Sequence, residues 1–219
     1  MFIEIENLLT ADEVEGVRER FNKLTFEDGR ATSGWNASLV KKNEQAADGE
    51  ELETLRQDIA SVILNDPIFL AAVRPKALTP LILARYGPGQ MYGSHIDNSM
   101  IQGIRTDVSF TLFLSEPDEY DGGELVIESV RGEEAIKLPA GALFAYPATT
   151  LHRVEPVASG SRTVAVGWAR SYIRSAEDRE ILFDLETVRR VMFDRQGKTD
   201  ETDLLSKVSA KLQRRWMED

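Results

Sequence analysis

With 219 residues and a formal charge of −11, the chain is long enough for one substantial buried core and too acidic for a general binder of phosphate backbones. It has no cysteine, which excludes disulfides, thiolate metal sites, Fe–S clusters and cysteine nucleophiles. The N-terminus lacks the basic and apolar regions of a secretory signal. No stretch reaches the roughly 20 apolar residues of a membrane span, so a cytoplasmic protein without a membrane partner is expected.

Thr10 followed by Glu13 predicts a capping box, and Val14, Val17 and Phe21 recur at helical spacing, giving a first helix over 11–23. Residues 36–50 are polar without a clear period and are expected to form a loop. Leu52, Leu55, Ile59 and Ile63 then make an amphipathic stripe, and Pro67 opens a further helical turn. From Leu78 to Ala169 the pattern changes to short apolar or alternating runs, at 81–84, 108–114, 124–127, 142–146 and 163–168. Clusters such as Gly87-Pro88-Gly89, Asp121-Gly122-Gly123 and Pro139-Ala140-Gly141 separate them. That rhythm predicts a double-sheet jelly roll or barrel. Ser175 with Asp178 predicts a second capping box ahead of a stripe at Ile181, Leu182, Leu185, Val188 and Met192. Leu204, Val208, Leu212 and Trp216 supply another stripe, and both are expected to pack on the barrel or on a partner subunit as a homodimer through the terminal helices. The predicted class is mainly β with flanking helices, divided into a helical flank at 1–77, a β core at 78–170 and a helical extension at 171–219.

Only two histidines occur, His95 and His152, and both fall in the β-rich middle. In an extended strand, His95 and Asp97 point to one face, so imidazole and carboxylate can address one ion. With His152 they would make a 2-His-1-carboxylate set, which leaves three adjacent positions open on Fe(II). Taken singly, an H-x-D step is a weak signal that also fits a surface histidine beside an aspartate. After His152 the sequence reads as a strand, a turn around Ser159 and a return strand. That hairpin would pair 152 with 166 and put Arg162, Val164, Val166 and Trp168 on the face of His152. Arg162 would then stand about 13 Å along the backbone from the metal ligand, within reach of an extended C5 dicarboxylate. An arginine inside a barrel requires an anion, because an unpaired buried charge is costly, and a bidentate carboxylate suits it.

The run from Tyr86 to Asp97, the Asp121-Gly122-Gly123-Glu124-Leu125 step and the segment from His152 to Arg162 resemble the prolyl-4-hydroxylase branch of the 2-oxoglutarate- and Fe(II)-dependent dioxygenases. Within that branch, the length and the helical tail are similar to the bacterial PKHD-type hydroxylases. The resemblance implies a double-stranded β-helix (jelly roll), with His95, Asp97 and His152 as iron ligands and Arg162 as the 2-oxoglutarate anchor. It also implies Tyr86 and Trp168 in the co-substrate pocket, O2 as second co-substrate and ascorbate as reductant. Tyr92 reads as a packing residue. Some family members carry a tyrosine on the strand after the H-x-D loop as a second contact to the distal carboxylate. Here that stretch is Ser109 to Leu114, and Thr111 or another hydroxyl is the candidate.

The resemblance implies an enzyme that hydroxylates an unactivated C–H bond of a peptidyl residue, an amino acid or a small metabolite, releasing succinate and CO2. Asp97 favours hydroxylation over halogenation, which needs that ligand absent. An oxidative demethylase with the same iron site is disfavoured by the charge of −11, and a non-catalytic metal- or ligand-binding jelly roll would not require Arg162. Specificity is expected in the loops 36–50 and 98–105.

Overall fold

The structure, a computed structural model, describes residues 1–32, 37–130 and 132–219. The N-terminal part supplies β1 (Ile3–Ile5), α1 (Ala11–Phe21), β2 (Phe26–Asp28), β3 (Lys41–Lys42), β4 (Glu44–Ala46), α2 (Glu50–Asn65) and α3 (Pro67–Val73). The middle begins with β5 (Pro75–Leu78), β6 (Ile82–Tyr86), β7 (Met91–His95), β8 (Met100–Ile101), β9 (Ile104–Arg105) and β10 (Val108–Phe113). It continues with β11 (Tyr120–Gly122), β12 (Leu125–Ser129), β13 (Gly132–Ile136), β14 (Leu143–Pro147), β15 (His152–Val154), β16 (Val157–Gly160) and β17 (Arg162–Ser171). Two helices follow, α4 (Ala176–Gln196) and α5 (Asp200–Trp216).

Two antiparallel sheets face each other as a jelly roll. The major sheet runs β1-β14-β10-β17-β6-β4-β2, with β5 on β17, and the minor sheet runs β13-β12-β15-β7-β3. Strand alternation divides the core. Phe110, Leu112 and Ala165 point to the helix side, where Leu52, Leu55, Ile59, Ile63 and Phe69 meet them in one cluster. Phe113 and Val164 point between the sheets, against Leu125, Ile127 and Val154. The predicted stripe of α2 is thus what seals the outer face of the major sheet. Each of its four residues is at most 1 % exposed, a contribution of about 1.5–3 kcal/mol apiece.

The capping box at Thr10 forms as predicted, and Asp66 caps α3 at the amide of Phe69. Ser175 caps α4 by accepting from the amide of Asp178, but its hydroxyl bonds Glu177 and no reciprocal box forms.

Three expectations are corrected. The segment expected as a loop after Asn36 carries β3 and β4, which join different sheets, with β3 on β7 and β4 on β6; Asn36 itself lies outside the described residues. The segment 98–105 folds into the β8–β9 hairpin, turned at Gln102 and Gly103 with φ of 48° and 77°. The predicted hairpin between 152 and 166 is absent. His152 pairs with His95 and Ile127, whereas Val166 pairs with Thr111 and Ile82 on the other sheet. After β15 the chain enters β16, which pairs with β11 in a separate two-stranded sheet, before β17 joins the major sheet, so the two faces meet across the barrel. Within one chain, the C-terminal stripes are only partly covered. Leu182 is fully buried, while Ile181, Val188, Leu204 and Val208 are exposed because α4 packs on α3 and α5 with other residues.

A candidate metal centre and its cavity

His95 closes β7 and His152 opens β15, and because these strands pair with the two histidines in register, their ring centroids stand 4.3 Å apart. Asp97 follows two residues after His95, just past the strand end, and its carboxylate oxygens lie 3.9 Å from Nε2 of each histidine. One donor atom from each residue falls within 4.8 Å of the others, the arrangement of a metal site with two imidazoles and one carboxylate.

The surroundings orient every donor. Nδ1–H of His95 donates to the Gly93 carbonyl at 2.9 Å and Nδ1–H of His152 donates to the Thr150 carbonyl at 3.0 Å. Those bonds fix the tautomer and turn both Nε2 lone pairs toward the centre. The Ser109 hydroxyl donates to Asp97 Oδ2 at 2.5 Å, while Oδ1 lies 3.9 Å from His95 Nε2. Tyr92 stacks on His95 with centroids 3.6 Å apart, and Tyr146 meets His152 edge-on at 5.1 Å. Tyr92 is a packing residue as predicted, and what it packs is the candidate ligand. Burial, with His152 alongside, pushes His95 down to about 4, so its imidazole is neutral at physiological pH, as metal binding requires.

Arg162 opens β17, is 1 % exposed and is the largest fully buried side chain. Its guanidinium lies 5.1 Å from the Tyr86 ring and 5.6 Å from Phe113, and its Nε has no hydrogen-bond partner. The Asp121-Gly122-Gly123 step makes room for it. Both glycines have positive φ, a Cβ on Gly122 would lie 2.2 Å from the Pro156 carbonyl, and one on Gly123 would press on Cδ of Arg162. Burial raises the Tyr86 phenol, with the Arg162 charge pulling the other way. The stretch where a tyrosine was sought presents Thr111 to the cavity, while the buried Tyr120 hydroxyl stands beside the Arg162 guanidinium.

All of these predicted residues converge. His95, Asp97, His152, Tyr86, Arg162 and Trp168 line one cavity of about 80 Å³, although the hairpin invoked to join His152 to Arg162 does not exist. Parity survived where pairing failed: Arg162, Val166 and Trp168 do share the inward face of β17. The donor set suits Fe(II), and the buried guanidinium suits a carboxylate.

The residues matched by the 2OG-Fe(II) oxygenase superfamily model are 81–170, the strands that carry this cavity. Over its whole length the chain is 48 % identical to a PKHD-type hydroxylase of Picosynechococcus sp. and 47 % identical to one of Gloeothece citriformis, covering 100 % of each. The chain belongs to the PKHD-type hydroxylases of the 2OG-Fe(II) oxygenase superfamily. The fold agrees: a Pseudomonas putida prolyl-4-hydroxylase superposes with a TM-score of 0.55 at 23 % identity, covering 78 % of this chain and 92 % of that one. HygX from Streptomyces hygroscopicus, solved with nickel and 2-oxoglutarate, superposes at 0.56 with 14 % identity, covering 78 % and 84 %. The enzyme is therefore an Fe(II)- and 2-oxoglutarate-dependent dioxygenase. Among its described residues no helix is long and apolar enough to cross a membrane.

Sequence reasoning missed five lining or supporting residues. Ser109 shares the inward face of Thr111 and Phe113 on β10, so alternation could have found it. Tyr146 lies in a run that reads as ordinary core. Lys41, Asn43 and Gln45 sit at every second position of a polar segment and are only 4–5 % exposed, yet alternation of polar residues reads equally well as a solvated edge. Burial pushes Lys41 down to about 8, against the pull of Asp97 and Asp28.

Proposed function

We propose that His95, Asp97 and His152 hold Fe(II) and that Arg162, with Tyr86 and Trp168 beside it, receives 2-oxoglutarate for hydroxylation of an unactivated C–H bond in a peptidyl residue, amino acid or small metabolite. The observation that carries this reading is the convergence, in one cavity, of the His–Asp–His set with a fully buried guanidinium. When bound, the metal and 2-oxoglutarate supply oxygen activation, with oxidative decarboxylation to succinate and CO2 coupled to hydroxylation of the substrate. The chain's own part is positional. The two Nδ1–H bonds and the Ser109 hydroxyl orient the three residues that would hold the metal, and the Arg162 guanidinium would pair the co-substrate's distal carboxylate. Tyr86 walls the anion against the guanidinium. No acid–base side chain is required for this division of labour.

The cavity shares Gln45, Ile82, Asn98, Ile101 and Trp168 with an outer groove of about 690 Å³, which gives substrate a path from solvent. Trp168 Nε1, buried without a partner at that junction, suits either co-substrate or substrate as an acceptor. The division into a 1–77 flank, a 78–170 core and a 171–219 extension, a cytoplasmic place, ascorbate as reductant and self-association through the exposed faces of α4 and α5 are parts of the same proposal. The deciding measurement is succinate formation from 2-oxoglutarate by the purified protein with Fe(II), together with a search for +16 Da products. Wild-type protein that binds Fe(II) yet forms no succinate with any candidate substrate would leave a binding protein rather than a catalyst.

A further inference from the structure

The groove that leads into the cavity differs in charge from the cavity itself. Among the described residues, its charged side chains are Glu27, Asp48, Glu53 and Arg56. Arg56 is already committed: its Nε donates to the Leu81 carbonyl at 2.7 Å, and its Nη1 stands 3.0 Å from Asp48 and 3.8 Å from Glu53. Glu27 is exposed on β2 and makes no salt bridge among the described residues. Three carboxylates against one guanidinium leave the groove anionic, whereas the Arg162 guanidinium lies in the inner cavity beyond it.

Exposed carboxylates alone are ordinary on so acidic a chain. A second observation ties these to a ligand. Trp168 stands where groove and cavity meet, is 8 % exposed, and its Nε1–H has no hydrogen-bond partner. A buried indole N–H left unmet is destabilising, and at this junction an acceptor atom delivered through the groove would satisfy it. The β8–β9 hairpin adds apolar surface to the same groove, with Met100 62 % exposed and Ile101 lining both spaces. Acceptor, aliphatic stem and cation are the three features that one ligand would need to match this wall.

We propose that the substrate carries a protonated amine or guanidinium on an aliphatic stem, its cation held by Glu27, Asp48 and Glu53 and a carbonyl or hydroxyl of the substrate accepting from Trp168. The opposite signs of the two spaces then sort the reactants, with the anionic co-substrate inside at Arg162 and the cationic end of the substrate outside. A basic side chain of a peptide and a free basic amino acid share this chemistry. The inference deepens the proposed function and rests on its seating of metal and 2-oxoglutarate in the inner cavity.

The test uses the full chain loaded with Mn(II) and saturating 2-oxoglutarate, with binding followed by calorimetry. The probes are a doubly capped Ala-Lys-Ala tripeptide against its norleucine counterpart, and free lysine against free norleucine. A lysine probe is expected to bind about 3- to 30-fold tighter than its neutral partner, a preference that shrinks as salt is raised, and the pair that shows it names the source. Glu27→Lys should erase most of that preference with little effect on the norleucine probe. Trp168→Phe should weaken both members of the pair alike, by about 2- to 10-fold, and leave 2-oxoglutarate affinity unchanged. Each variant is first checked for a melt like that of wild type. Equal affinity within both pairs, no binding by any probe, or a preference untouched by Glu27→Lys would overturn the cation site. A Trp168→Phe variant that weakens 2-oxoglutarate and not the probes would overturn the role given to the indole N–H. If the wild type binds Mn(II) but not 2-oxoglutarate before any probe is added, the proposed seating itself is wrong and the inference falls with it.

Discussion

The metal end of the cavity and the wall built by β3 and β4 face the same space but are finished differently. At the metal end every donor is held: His95 and His152 by backbone carbonyls, Asp97 by Ser109. On the β3–β4 wall, the buried Asn43 amide has the Tyr86 hydroxyl beside it and hydrogen-bonding capacity to spare. Groups that are locked in advance suit a partner that never changes, and groups with open hydrogen-bonding capacity suit the part of the reaction that differs between enzymes of one fold. The difference supports the proposed seating of metal and co-substrate on the paired strands.

The largest expected effect comes from breaking the locked end outright. His152→Ala removes one of three donors and leaves a carboxylate and a single imidazole, so ferrous binding should fall below detection by titration, and succinate formation should drop to background. A variant that still bound Fe(II) with near wild-type affinity would move the metal elsewhere.

Arg162→Gln comes next. Truncating one partner of a buried, hydrogen-bonded charge pair costs about 2–5 kcal/mol, so the Kd for 2-oxoglutarate should rise on the order of 30-fold or more, with metal affinity little changed. A similar loss of metal and co-substrate binding would point to a collapsed cavity. Normal 2-oxoglutarate binding would displace the anchor.

Ser109→Ala probes the locking itself. Support from outside the ligand set is typically worth a factor of about 10–100 in metal affinity, and this variant should lose that much for Mn(II) while Ser109→Thr retains most of it. If alanine binds Mn(II) like wild type, the hydroxyl does not position Asp97.

How much of this was readable from the chain follows the same division. His95, Asp97, His152, Arg162 and Trp168 were found because two-residue periodicity within a strand is a local property that survives even a wrong guess of partner. The hairpin between 152 and 166 failed because β16 and β17 belong to different sheets, and sheet membership is decided by the long-range pairs β11 with β16 and β6 with β17. Lys41, Asn43 and Gln45 stayed hidden because their burial comes from a closing segment whose two ends join different sheets. The stripes of α4 and α5 were legible as apolar periods, and the single chain leaves much of them exposed.

The smallest predicted effect concerns what holds that closing wall in place. Gly29 lies directly against it, and a Cβ there would stand 2.0 Å from Oδ1 of Asn43 and 3.1 Å from Cγ of Gln45. Because the backbone amide of Gly29 also donates to the Asn43 carbonyl at 2.9 Å, the two cannot separate without losing that bond. Gly29→Ala should therefore destabilise the fold by about 1–3 kcal/mol, visible as a melting temperature several degrees lower. Mn(II) affinity should stay within about twofold, since none of the bonds that orient His95, Asp97 and His152 reaches this segment. A parallel loss of metal affinity would mean that the two walls move as one. The separation between a rigid metal end and an adjustable substrate wall would then have to be abandoned.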